Sequence, residues 1–174
     1  MNHLLHTNHF ETLYTLRGAL YAGAVLGLLG LMGAFRRLGP VFFLAVLPAT
    51  VAHELMHWGV ALLLNGRPES LHVIPQRRNE SYVLGAVRCA NVRWYNGLFI
   101  GLAPLAWLAV AMTLLDWRAR GVAAIGIREL LWAYIIACLL YAAIPSWQDI
   151  KVALVSSWLL VTLSIVMAWD HWIR

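Results

Sequence analysis

The sequence predicts an all-α polytopic membrane protein of about five transmembrane helices, with a small β-hairpin-like loop between the second and the third. Hydrophobic residues make up 61% of the 174 residues and charged residues only 12%, whereas soluble domains carry about 25% charged residues. Several apolar runs approach or exceed the roughly 18 residues that indicate a membrane span. The tryptophans fall largely near the ends of these runs, where amphipathic rings settle in the membrane interface.

The apolar runs predict where each span lies and how the chain is organised. The fourth run is the weakest, because it is short although it is uninterrupted. Nothing between the runs is long enough for a separate soluble domain, so residues 1–174 are predicted to form a single membrane domain. The five predicted spans cover approximately residues 18–35, 41–64, 96–116, 129–144 and 152–172.

Residues 65–95 form the only substantial segment predicted to lie outside the membrane. We expect a strand over 71–74, a polar turn over 76–81 and a second strand over 82–94. Positive residues indicate the cytoplasmic side of a membrane protein, but the two faces of this chain carry nearly equal numbers. The loop face is assigned to the cytoplasm of a bacterial-type cytoplasmic membrane because of its five arginines, Arg67, Arg77, Arg78, Arg88 and Arg93.

The net charge and the cysteine content exclude two classes of protein. The net charge of +5 is spread over the predicted loops, which is typical of contacts with the headgroups of the lipid bilayer rather than with nucleic acid. Only two cysteines are present, Cys89 in the loop and Cys138 in a predicted span. A disulfide framework is therefore not expected.

The second span contains the pentad His-Glu-Leu-Met-His, from His53 to His57. Helix positions four apart lie on the same face, so both imidazoles can bind one Zn²⁺ ion. Glu54 can then act as general base on a zinc-bound water, while the zinc lowers the pKa of that water to about 7 and polarises the scissile carbonyl. The pattern can also arise by chance, but ionisable groups inside hydrocarbon are costly and usually functional.

A catalytic zinc site needs a third protein ligand and one open position. His57 is expected roughly 10 Å from the face that carries the 65–95 loop, and the third ligand should come from that face. Asp149 and His72 are the candidates there. We favour Asp149, which follows a break between spans four and five, because irregular backbone at membrane depth is buried in protein or lines a wet cavity. The alternative for Asp149 is a surface turn in which it pairs with Lys151. The ionisable residues at span ends on the opposite face are predicted to be ordinary interfacial residues: Asp116, Glu129, Asp170 and His171.

These motifs resemble the site-2 protease family of intramembrane zinc metalloproteases. The family's first signature is matched by His53, Glu54 and His57, with Ala61 in its expected place and Gly66 one place late. The resemblance covers about residues 41–160.

Two further family elements have looser counterparts in this chain. Pro145 and Asp149 resemble an Asn-Pro-x-x-Asp-Gly sequence whose aspartate is the third zinc ligand, although the asparagine and the final glycine are absent. Gly101, Pro104 and Leu105 resemble a Gly-Pro-x-x-Asn element of the middle span.

The resemblance implies a three-span catalytic core, a β-element beside the active site, and cleavage of a membrane-embedded substrate near one face. Helical peptide bonds are shielded, so a substrate must unwind, and a strand edge in the 65–95 loop can hold it extended. Asn91 and Asn96 lie on the same face and can donate hydrogen bonds to an oxyanion. Their alternative role is to cap the start of the third span.

The sequence therefore predicts a zinc-dependent intramembrane endopeptidase acting on a membrane protein or peptide, with His53, His57 and Asp149 as zinc ligands and Glu54 as base. The loose third motif leaves open a non-proteolytic zinc-binding scaffold or chaperone derived from such a protease. A metal transporter is the third hypothesis, because buried histidines and carboxylates also mark ion pathways. It ranks last, since the first, third and fifth spans offer few polar residues along a path across the membrane.

Overall fold

The computed structural model describes residues 16–34, 40–74, 76–78, 81–121 and 126–173, which are mostly helical. The prediction of a helical chain with a small β-element in the 65–95 loop is confirmed within these ranges. A 3₁₀ turn at Ala103–Leu105 joins α3 to α4. The helices are α1 (Leu16–Ala34), α2 (Pro40–Leu63), α3 (Gly97–Leu102), α4 (Ala106–Gly121), α5 (Ile127–Ala142) and α6 (Trp147–Ile173), and the strands are β1 (Pro68–His72), β2 (Gln76–Arg78), β3 (Ser81–Val83) and β4 (Ala86–Cys89).

Three helical stretches among the described residues are long and apolar enough to cross a membrane: Leu16–Ala34, Phe42–Leu63 and Gly97–Gly121. A fourth candidate arises only if Ile127–Ala142 and Trp147–Trp158 are taken together as one broken span. The described residues of each of the five predicted apolar segments are mostly helical, but α5 has only 16 residues. At 1.5 Å per residue this is about 24 Å, less than the roughly 30 Å of a hydrocarbon core.

Contacts between Cα atoms divide the chain into two compact units. The first unit comprises Met1–Ala49 and Ala106–Ala143, and the second comprises Thr50–Leu105 and Ile144–Arg174. Helix α2 contributes its first part to the first unit and its second part to the second. That residues 1–174 form one membrane domain stays a prediction.

In the first unit, α1, α4 and α5 pack against one another. Small side chains allow the close approach of these helices, since Ala111 of α4 and Ala133 and Ala137 of α5 are fully buried. The hydroxyl of Tyr134 donates a hydrogen bond to the carbonyl oxygen of Ala45, 2.8 Å away. This bond joins α5 to the first part of α2.

A buried ion pair joins the last turn of α4 to the first turn of α5. Arg118 bonds to the carboxylate of Glu129, and both side chains are buried. The Arg118 guanidinium also lies 4.9 Å from the ring centroid of Trp117. The prediction that Glu129 is an ordinary interfacial residue is therefore wrong, because the position of its partner on α4 could not be read from the sequence. Asp116, by contrast, forms an exposed pair with Arg120 one helical turn away.

In the second unit, α2 ends in a Schellman motif, which turns the chain towards β1. Asn65 adopts a left-handed conformation with φ of 54°. The amide of Gly66 donates to the carbonyl of Ala61 at 2.6 Å, and the amide of Asn65 donates to that of Leu62 at 3.4 Å. Asn65 tolerates this conformation better than most residues, because its short polar side chain suits the left-handed region.

The loop contains two antiparallel strand pairs rather than the single hairpin predicted. Strand β1 pairs with β4, with His72 opposite Ala86, and β2 pairs with β3, with Gln76 opposite Val83. Residues 76–78 were predicted to lie in a turn but form β2, because pairing with β3 satisfies their backbone groups. Residues 79 and 80 lie outside the described ranges.

Candidate metal centre

The second part of α2 presents two imidazoles on one face. His53 and His57 lie one helical turn apart, and their Nε2 atoms are 3.1 Å from each other. The His57 side chain is buried and the His53 side chain nearly so. This geometry agrees with the prediction that both rings can bind one metal ion.

The structure brings Asp149, in the first turn of α6, to the same two nitrogen atoms. Its Oδ2 lies 3.3 Å from Nε2 of His53, and its Oδ1 lies 3.2 Å from Nε2 of His57. The alternative partner, Lys151, instead has its Nζ 5.5 Å from the centroid of the Trp147 ring. His72, the other candidate ligand, is exposed on β1.

These three side chains could hold a metal ion, because one ligand atom from each lies within 4.8 Å of the others. Zinc binds imidazole nitrogen and carboxylate oxygen at about 2.0–2.2 Å with tetrahedral geometry. Two ligand atoms on such an ion are then roughly 3.3–3.6 Å apart, slightly more than the separations of 3.1–3.3 Å found here. Two histidines and one carboxylate therefore fit a zinc ion and leave its fourth position open. That the ion is zinc, and that Asp149 is its third ligand, stay predictions.

A backbone carbonyl orients His57. The Nδ1 atom of His57 lies 2.7 Å from the carbonyl oxygen of Ile100, and since a carbonyl only accepts, Nδ1 carries the hydrogen. The Nε2 lone pair is then left for a metal. Pro104 helps to make this oxygen accessible, because proline lacks the amide that would bond to the carbonyl four residues earlier. The Ile100 oxygen also accepts a shorter-range bond from the amide of Ala103.

A reciprocal pair of hydrogen bonds orients Asp149. The amide of Ser146 donates to Oδ2 of Asp149 at 2.6 Å, and the amide of Asp149 donates to Oγ of Ser146 at 3.2 Å. This capping box starts α6 at Trp147. The last helix thus begins at Trp147 rather than near residue 152 as predicted, so the break is shorter and Asp149 lies in the first turn of α6.

Helix α3 holds the start of α6 through a Gly-x-x-x-Gly face. A Cβ at Gly101 would lie 2.6 Å from the carbonyl oxygen of Asp149 and 2.9 Å from the amide of Ala153. A Cβ at Gly97 would lie 1.9 Å from Oγ of Ser156. Such small residues let helix backbones approach closely. The two glycines therefore set the position of the helix turn that carries Asp149.

Glu54 is buried beside this group. Its side chain interacts electrostatically with His53, His57 and Asp149, and 6% of the residue is exposed. The backbone of Gly85, just before β4, lies against the Glu54 carboxylate, since a Cβ there would be 2.6 Å from Oε1. The loop thus packs directly on the residue predicted to act as base.

The side chains of Asn91 and Asn96 are bonded to the loop itself. Asn96 is completely buried, and its Nδ2 donates to the carbonyls of Leu64 and Asn91. Asn91 donates through Nδ2 to the carbonyl of Asn65 at 2.7 Å. Asn96 occupies the N-cap position of α3 without a capping bond from its side chain. These bonds anchor the loop to the end of α2, and the oxyanion role of the two asparagines stays a prediction.

Comparisons with models of protein families, with curated proteins and with solved structures found no match to this chain. The resemblance to the site-2 proteases therefore rests on the residues named above.

Proposed function

We propose that this chain is a zinc-dependent intramembrane endopeptidase of the site-2 protease type. The observation that carries the proposal is the convergence of His53, His57 and Asp149, with the buried carboxylate of Glu54 next to them. This combination of two imidazoles, a carboxylate ligand and a neighbouring glutamate is typical of zinc peptidases. A scaffold protein would not need a buried glutamate at this position.

Each residue of the site has a separate role in the proposed reaction. A zinc ion held by His53, His57 and Asp149 would supply an acidified water and polarise the substrate carbonyl. Glu54 takes the proton of the attacking water and passes it to the leaving amine. Burial of the Glu54 side chain excludes competing solvent from that exchange.

The loop offers a means of holding the substrate extended. The sheet of β1 and β4 has two strands among the described residues, so each of them has one edge that no other described strand covers. A substrate segment can add to such an edge by main-chain hydrogen bonds. Because Gly85 directly precedes β4 and contacts Glu54, an added strand would lie close to the base.

The apolar helices support placing this chemistry in a lipid bilayer. Phe42–Leu63 is long and apolar enough to be a membrane span, and it carries both histidines. Substrates would accordingly be membrane proteins or peptides with an apolar segment that enters the same bilayer. A cytoplasmic position for the loop is part of the proposal.

The test is peptide hydrolysis by the purified protein in liposomes of neutral phospholipid. We expect zinc-loaded protein to cleave members of a panel of single-span apolar peptides, with new termini read by mass spectrometry. A strong chelator should stop cleavage, and stoichiometric zinc should restore it. If zinc-loaded protein leaves the whole panel intact, the endopeptidase proposal is contradicted and the non-proteolytic zinc scaffold is favoured.

Cys89 in β4 reports which side of the membrane the loop faces. Burial and, to a lesser extent, the charge of Glu69 raise the pKa of the Cys89 thiol, so less thiolate is present at a given pH and alkylation should be slow. We expect a membrane-impermeant maleimide to modify Cys89 only after cells are permeabilised, with a rate that still rises above pH 8.5, the usual thiol range. Glu69→Gln should shift this pH profile downward. Cys89→Ser, which keeps only the buried Cys138, is the control, and equal labelling of intact cells would place the loop outside.

A further inference from the structure

The backbone conformation of Gly85 does not by itself require a glycine. Its φ angle lies outside the left-handed region, so an alanine could adopt the same backbone conformation. The following residue, Ala86, is held opposite His72 by the pairing of β4 with β1. Gly85 itself lies in the connection between β3 and β4, and the pairing of Ala86 limits how far its backbone can move.

The space around Gly85 leaves no room for a side chain, because the side chain of Glu54 occupies it. A Cβ at Gly85 would lie 2.6 Å from Oε1, 2.7 Å from Cγ and 2.9 Å from Cδ of Glu54. Contacts this short force one of the two groups to move. Because the pairing of Ala86 restrains the adjacent backbone and the Glu54 side chain can rotate, Glu54 is the group that we expect to be displaced.

We propose that Gly85 is a positioning residue, whose bare backbone forms the wall against which the Glu54 carboxylate rests beside His53, His57 and Asp149. This inference rests on the proposed function, in which Glu54 moves a proton. A general base must lie within about 2.6–3.2 Å of the proton that it takes. A displacement of about 1 Å in such a group lowers the rate roughly 100-fold.

The kinetic test compares Gly85→Ala with Gly59→Ala in the same liposome assay. Gly59 lies in the same helix as Glu54, but a Cβ there meets no described atom within 4 Å. We expect Gly85→Ala to lower kcat roughly 10- to 100-fold with little change in KM and with unchanged zinc content. Gly59→Ala should match the wild type in all three. A Gly85→Ala protein with wild-type kcat, or one that loses its zinc, overturns the inference while leaving the proposed function in place.

A thermal test applies even if the wild type cleaves nothing. Glu54→Ala removes the Cγ, Cδ and Oε1 atoms that a methyl group at Gly85 would meet. We expect Gly85→Ala to lower the unfolding temperature of the wild-type chain and to have a clearly smaller effect in the Glu54→Ala background. Equal shifts of the unfolding temperature in the two backgrounds would show that the Gly85 position does not contact Glu54, which overturns the inference. Failure of the proposed function would instead show as the absence of zinc-dependent cleavage by the wild type.

Discussion

Glu54→Gln is expected to lower kcat by about 10²–10⁴-fold, while the purified protein keeps its full zinc content. Glutamine has nearly the size and shape of glutamate, so the packing against Gly85 is retained. It cannot take up a proton at neutral pH, so the attacking water is no longer deprotonated. His53 and His57 are unchanged, and metal binding should therefore be preserved.

The measurement pairs initial rates of peptide cleavage with zinc content from elemental analysis of the same protein. Asp116→Asn is a matched control, because it makes the same carboxylate-to-amide change in an exposed pair of the other unit. This control should cleave at the wild-type rate. Cleavage by Glu54→Gln at the rate of the control would remove Glu54 from its role as base.

Asp149→Asn is expected to lose most of the bound zinc. Loss of a residue that hydrogen-bonds to a metal ligand typically weakens metal binding about 10- to 100-fold. Loss of a charged ligand itself should weaken zinc binding by more than this. Asparagine is preferred to alanine, because its side-chain oxygen can still accept the amide hydrogen of Ser146 that starts α6. The loss of zinc can then be separated from a disrupted helix start.

Zinc affinity would be measured by competition with a chelating dye, and helix content by circular dichroism. Asp116→Asn is the control, since Asp116 forms an exposed pair with Arg120 in a different unit of the chain. Near-normal zinc affinity in Asp149→Asn and in Asp149→Ala would show that the third ligand is another group.

The sequence predicted the residues of the site better than it predicted the groups that orient them. The pentad follows from helix periodicity, and Asp149 follows from the requirement for a third ligand on the same face. The carbonyl of Ile100 has no residue-type signature, because every residue has a carbonyl. Pro104 was a usable signal, since a proline four residues later leaves the Ile100 carbonyl oxygen without its helical hydrogen bond.

Other features depend on tertiary contacts and have weaker signals. Gly85 was visible as a glycine in a predicted strand, but nothing local indicates that it lies against Glu54. The start of α6 could have been placed at Trp147 from the Ser-x-x-Asp pattern of a capping box, from Ser146 to Asp149. The burial of Glu129 depends on Arg118 lying on the neighbouring helix, which periodicity alone does not reveal.

If the chain lies in a bilayer as proposed, the buried pair of Arg118 and Glu129 affects how its helices enter that bilayer. If α4 entered the bilayer alone, Arg118 would lack its buried partner Glu129, and a charge without a partner is costly in an apolar medium. Glu129 on α5 would keep only the pair with the exposed Arg128. Inserted together as a hairpin, α4 and α5 present a neutralised pair, with the Trp117 ring beside the guanidinium. Under the proposed function, concerted insertion of these two helices is therefore expected to be favoured over insertion of one after the other.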